Sequence, residues 1–150
     1  MRIAIASDHA GFVQKDPLAE YLTGKGHEVL DLGPATDDRC DYPDFADKVA
    51  RLVALGVAIT ADKVAGIRAV PIQTVDFARL CREHNDANVI ALSGRFVSLE
   101  DNEAILDAFL ETEFAGGRHT GRVEKIMRED DPEFQGVPAV FRLAHQFKSQ

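Results

Sequence analysis

Only two cysteines, Cys40 and Cys81, occur in this chain of 150 residues. That is too few for a disulfide framework and suits a reducing, cytoplasmic setting. Basic side chains are also scarce: 17 Lys and Arg against 25 Asp and Glu give a formal net charge of −8 at pH 7. Nucleic-acid and membrane-surface proteins ordinarily carry a basic face, so neither kind of partner is expected. No apolar run approaches the ~18 residues of a membrane span. The amino terminus, MRIAIASDHAG, lacks the apolar core and cleavage pattern of a signal peptide. There is no internal repeat, no low-complexity tract, no dinucleotide or P-loop glycine pattern, and no His/Cys/Asp spacing of a metal site. What remains is 45% hydrophobic and 28% charged, the make-up of one globular domain long enough to fold without a staple.

Two periods alternate along the chain. Arg2–Ser7 is a short apolar run of the buried-strand type, and Phe12–Leu22 is amphipathic and stopped by Gly24 and Gly26. Pro17 interrupts that helical pattern. His27–Gly33 reads as a second strand, Pro34–Asp41 as a loop, and Pro43 opens a helix to about Leu55. Gly66–Ile72 and Ala87–Ser93 are two further strands flanking a helix over Thr74–Asn85. Ser98 caps a helix running through Phe114, with Glu100, Asp101 and Glu103 in its first turn, where the dipole favours acids. Gly116 and Gly117 break it, and another helix runs to about Glu129. Strands alternating with helices predict an α/β fold with a mostly parallel sheet covered on both faces. Four strands are one fewer than such a fold usually wants, and Val57–Thr60 in strand form would supply a fifth. In these sheets ligands bind at the carboxyl ends of the strands, so the loops there hold the candidate chemistry.

Asp8 and His9 follow the first strand at a helix start, where free N–H groups favour anions or hydroxyl oxygens; a plain N-cap explains the same letters. Asp41-Tyr42-Pro43-Asp44 is a turn into a helix, with Tyr42 packed or lining a site. His84, Asn85 and Asn88 lie between a helix and a strand, where imidazole and amides can read sugar hydroxyls and His84 can move a proton. A helix C-cap accounts for them equally well. Arg118 and Arg122 are spaced i,i+4, a repulsion of about 0.2–0.5 kcal/mol on a helix face. A phosphate dianion held by forked guanidinium bonds would reverse its sign. Arg95, also after a strand, could join them. Neither Cys40, beside acids, nor Cys81, on an amphipathic helix, has the setting of a nucleophile.

The runs IASDHAGF (5–12), DYPDFA (41–46), ADKVAGIRAV (61–70), LCREHNDANVIAL (80–92) and DAFLETEFAGGRHTGRV (107–123) together resemble the ribose-5-phosphate isomerase B family. The LacA and LacB galactose-6-phosphate isomerase subunits belong to the same family. The resemblance covers nearly all of residues 1–127. It implies a Rossmann-like three-layer α/β/α sandwich over 1–130; the tail 131–150, by its own apolar residues Phe134, Val137, Val140, Phe141, Leu143 and Phe147, is expected to pack on its own or a partner subunit. The resemblance further implies a homodimer or homotetramer with shared active sites, no cofactor and no metal, and an aldose–ketose isomerase acting on a pentose or hexose phosphate through an enediolate. By the same resemblance Asp8, His9 and Tyr42 would meet the sugar, His84 would open its ring, and Asn85 would steady the enediolate. Arg95, Arg118 and Arg122 would hold the phosphate, with His119 nearby. One departure stands out. The family's third strand and its Cys-Gly-Thr-Gly turn, which supply a proton-transferring cysteine and oxyanion-binding amides, have no counterpart near Leu55–Gly56. Roughly a dozen residues are missing there, about one strand and its loop, and the position matching some members' glutamate base falls at about Val57. A catalytically inactive sugar-phosphate-binding or partner subunit is therefore the alternative expectation.

Overall fold

The structure is a computed structural model that describes residues 1–7, 11–33, 35–36 and 55–131. Strand β1 (Arg2–Ile5) leads to helix α1 (Phe12–Gly24) and strand β2 (Glu28–Asp31). Then come α2 (Leu55–Ala61), β3 (Ala69–Pro71), α3 (Val75–Asn85), β4 (Val89–Ala91) and α4 (Leu99–Glu111). A 3-10 turn (Gly117–His119) opens into α5 (Thr120–Arg128). Both strand pairs are parallel: β1 with β2, Arg2 opposite Glu28, and β3 with β4, Ala69 opposite Val89. The α/β expectation holds, and all four sequence-read strands form, each shorter than its apolar run. The expected helix from Pro43, Cys40 and the tail beyond Asp131 lie outside the described residues.

Two expectations are corrected. Val57–Thr60 does not become a strand, because it lies within α2. Its alanines explain why: Ala58 and Ala61, 3% and 0% exposed, pack with Ala69 and Ala91 of β3 and β4, a close helix-on-sheet contact that a pleated segment could not make. The described strands also form two two-stranded sheets rather than one. No ladder joins β1 to β4.

Local chemistry accounts for the helices. Ser98 caps α4, its Oγ accepting the Asp101 N–H at 3.1 Å and donating to Asp101 Oδ2 at 2.7 Å, with Glu100 and Asp101 in the first turn. Thr74 caps α3 in the same way through the Phe77 N–H. Pro17 sits inside α1 without ending it. The carbonyl it leaves unpaired belongs to Val13, which is exposed, so water can take its place. Lys15, on the inner side of α1, is 4% exposed and pairs with Asp16 and Asp31. Burial alone would lower its pKa, but the bonds from Asp31 and Asp16 outweigh it and raise it. That pair ties α1 to the end of β2.

The core gathers Leu18 and Leu22 of α1, Ile90 and Leu92 around β4, and Ile105, Leu106 and Phe109 of α4. Within it, Gln14 Nε2 donates to the carbonyls of Gly94 (3.2 Å) and Val97 (3.0 Å), while Asn102 Nδ2 donates to Gln14 Oε1 (2.7 Å) and the Ser93 carbonyl (3.1 Å). Asn102 is 0% exposed, so truncating it orphans buried partners. Asn102→Ala should lower stability by about 1–3 kcal/mol, measured by urea unfolding. The Gln14→Ala, Asn102→Ala double variant should lose less than the two single losses combined, because they share a bond.

Candidate functional site

Three chain segments meet at the carboxyl end of α3. Asp86 caps that helix in the left-handed conformation, φ 47°, which a short polar side chain tolerates. Its carboxylate receives Arg68 at 2.8 Å and Arg82 at 2.9 Å. Arg82 also donates to the Ala87 carbonyl at 2.6 Å and, through Nε, to the Thr112 carbonyl at 3.2 Å. Asn88 Nδ2 donates to the Gly66 carbonyl at 2.8 Å, and Asn88 Oδ1 accepts the Arg68 N–H at 2.9 Å. Asp86 and Asn88 therefore hold the framework, and the C-cap reading of this motif is right for them.

Beyond α4 the chain runs extended, and the Ala115 N–H donates to the Glu83 carbonyl at 3.1 Å. Gly116 and Gly117 follow with φ 61° and 55°, a reversal open to glycine at little cost. It drops His119 onto α3, where its ring stacks on His84 with centroids 4.3 Å apart and planes 7° from parallel. Arg118 Nε donates to His119 Nε2 at 3.2 Å. That bond places the proton of a neutral His119 on Nδ1, which is buried without a hydrogen-bond partner. Burial first, and then the charges of His84, Arg118 and Arg122, push the His119 pKa below its ordinary value, with Glu83 opposing.

His84, His119, Arg118 and Arg122 come together. The helix-face picture of the two arginines is corrected: Arg118 lies in the 3-10 turn and Arg122 in α5, and they converge because the helix starts between them. Both are exposed and, among the described residues, in no ion pair. Asn85 is exposed beside His84, and its carbonyl accepts Arg68 Nε at 3.1 Å. Arg95 is exposed in the turn after β4, and no described contact joins it to the histidine pair. Asp8, His9 and Tyr42 lie outside the described residues. Cys81 is no nucleophile: burial pushes its thiol up to about 11. Arg82 and the Gln14–Asn102 bridge were missed, although the Arg82–Asp86 spacing of four was a visible signal. Among the described residues, no cluster of three His, Cys, Asp or Glu could hold a metal, and no helix is long and apolar enough to cross a membrane.

The sequence model of the Ribose/Galactose Isomerase family matches residues 3–126. The chain belongs to this family. Ribose-5-phosphate isomerase B of Escherichia coli (strain K12) is 41% identical over 139 residues, covering 83% of this chain and 93% of that protein. The solved ribose 5-phosphate isomerase of Thermotoga maritima is similar with a TM-score of 0.81 and 43% identity, over 85% of this chain and 97% of that one. Ribose-5-phosphate isomerase B from Mycoplasma genitalium, with bound ribulose-5-phosphate, gives 0.82 and 40%, over 86% and 95%. The fold is thus the Rossmann-like α/β fold of these isomerases. The Escherichia coli match spans 139 positions but uses 83% of this 150-residue chain, about 125 residues, so about 14 positions of that family member face nothing here.

His119 sets a pH dependence. Its folded pKa lies below the ordinary 6.5, so the unfolded chain takes up the proton first as pH falls. Stability is unaffected above about 6.5 and declines below it, down to the folded pKa. His119→Gln should flatten that acid limb in urea unfolding across pH, and an NMR titration should place the His119 midpoint below 6.5.

Proposed function

We propose that this chain interconverts an aldose phosphate and a ketose phosphate, with ribose 5-phosphate and ribulose 5-phosphate as the pair. The observation that carries this reading is the stacked His84–His119 pair, in which the buried His119 Nδ1 has no hydrogen-bond partner among the described residues, with two exposed arginines beside it. An unpartnered buried donor costs about 1–3 kcal/mol, and a sugar oxygen would relieve that cost. The names of the relatives favour an isomerase over an inactive binding or partner subunit.

His84 transfers the proton that opens the sugar ring, and His119 Nδ1 donates to an oxygen of the opened chain. Asn85 offers its amide to the enediolate oxygen that forms while the proton is carried from C2 to C1, a transfer for which no described residue is assigned as the base. Arg118 and Arg122 hold the phosphate dianion, whose two charges remove their mutual repulsion, and Arg95, in the turn at the other end of β4, joins through a site shared with a second subunit. Asp8, His9 and Tyr42 take the sugar hydroxyls. The chain acts in the cytoplasm as a homodimer or homotetramer with shared sites. Val13 and Phe96, 77% and 86% exposed on segments joined by the Gln14 bridge, support an apolar subunit contact.

The test is ketose formation from ribose 5-phosphate by the purified chain. His84→Asn should lower kcat at least about 100-fold. Arg118→Ala should raise KM about 10- to 100-fold, as for a lost hydrogen bond to a charged group. Binding of ribose 5-phosphate without ketose formation by the unaltered chain would overturn the catalytic reading.

A further inference from the structure

Between β1 and β4 lies a cavity of about 420 Å³, within the range of ligand pockets. Leu18, Leu22, Leu106 and Phe109 wall it, and its two long sides are strand edges. Ladder parity shows what those edges present. The Met1 and Ile5 carbonyls and the Ser7 N–H bond towards β2, so Ala4 and Ala6 turn their N–H and C=O the other way, into the cavity. On β4 the Ala91 carbonyl receives the Ile72 N–H from the β3 side. Ile90 and Leu92 therefore also face the cavity. The two edges run in the same direction, since Met1 and Asn88 line one end and Ser7 and Gly94 the other. At that second end two buried side-chain atoms, Ser7 Oγ and Asn102 Oδ1, have no partner, in residues 5% and 0% exposed. A dry apolar hole would be lined by neither strand edges nor orphaned oxygens.

We propose that this cavity is the acceptor for one extended peptide strand, apolar on both faces and supplied by a separate polypeptide. Lying parallel between β1 and β4, the strand bonds to Ala4 and Ala6 on one side and to Ile90 and Leu92 on the other. It joins the two sheets into one of five strands and brings backbone polar groups to Ser7 and Asn102. A peptide fits where a small apolar ligand does not, because both walls repeat donor and acceptor at the strand spacing of about 3.3 Å per residue. It is apolar because a central parallel strand is buried on both faces. Among the described residues none is left to supply it: α2 is committed to its helix, and about 14 positions of the Escherichia coli relative have no counterpart in this chain.

The chain contains no tryptophan, so the synthetic peptide acetyl-Gly-Val-Ile-Leu-Val-Trp-amide is the only indole in a mixture with it. The expected result is a saturable blue shift of its emission and slowed amide exchange at Ala4, Ala6, Ile90 and Leu92. The same peptide N-methylated at alternate residues keeps its apolar surface and loses the donors of one edge. It should bind about tenfold more weakly or worse, the equivalent of one or two lost hydrogen bonds. Equal binding of the two peptides would show only an apolar cavity and overturn the proposal, as would no binding of either. The readout is binding, so it stands or falls separately from isomerase activity.

Discussion

The fold depends on how two parallel strand pairs stay in register without a ladder between them. Backbone hydrogen bonds do not cross from β1 to β4. Helices and one polar bridge do the joining instead. Leu18 and Leu22 from α1 meet Ile105, Leu106 and Phe109 from α4 across the gap, and burial of such side chains is worth roughly 1.5–3 kcal/mol each. The Gln14–Asn102 bonds add direction to that non-directional attraction, reaching from the first turn of α1 to the loop after β4. The carboxyl ends of the two half-sheets are thereby fixed side by side, which is where an α/β protein places its ligand.

The histidine pair rests on a different support. Its members lie 35 residues apart, yet every contact that brings them together belongs to the α3 end and the segment after α4. Arg82 holds Thr112, the Glu83 carbonyl holds Ala115, and the double glycine turns His119 inward. Asp86 restrains Arg82 from the other side. This half of the site is built on short, saturated backbone bonds and does not use the β1–β4 gap. A cationic cluster survives on an acidic chain for the same reason: the arginines that matter are placed locally, and net charge says little about them.

Much of this was legible in the residues. Ser98, Thr74 and the Gly116–Gly117 pair punctuate the chain as capping and turn chemistry dictate, and the apolar runs mark all four strands. Strand ends were not legible, because an apolar residue such as Leu92 is buried whether or not it joins a ladder. Val57–Thr60 misled because β-branched letters in a short run suit a strand, while the alanines beside them suit close helix packing, and the packing won. At the site, His84 and Asn88 are written four residues apart with nothing to separate their roles. Only the three-dimensional partners show that Asn88 serves Gly66 and Arg68 while His84 meets His119. The stack itself could not be read, since it depends on a glycine reversal and a backbone bond to Glu83.

A gap in the centre of a sheet is tolerable only because each half is complete on its far side. β1 spends its odd-numbered backbone groups on β2, and β4 spends its odd-numbered groups on β3, so half of each strand's bonding capacity is met. The other half opens on the cavity, and Ser7 and Asn102 add two unsatisfied atoms to it. At about 1–3 kcal/mol for each group left both dry and unpaired, those edges cannot stay anhydrous and empty. They must bind water or a strand. Water satisfies the bonds but leaves the aliphatic walls wet, and a strand satisfies both. Either way the gap leaves the histidine and arginine cluster undisturbed, because that cluster rests on the end of α3 and the segment after α4.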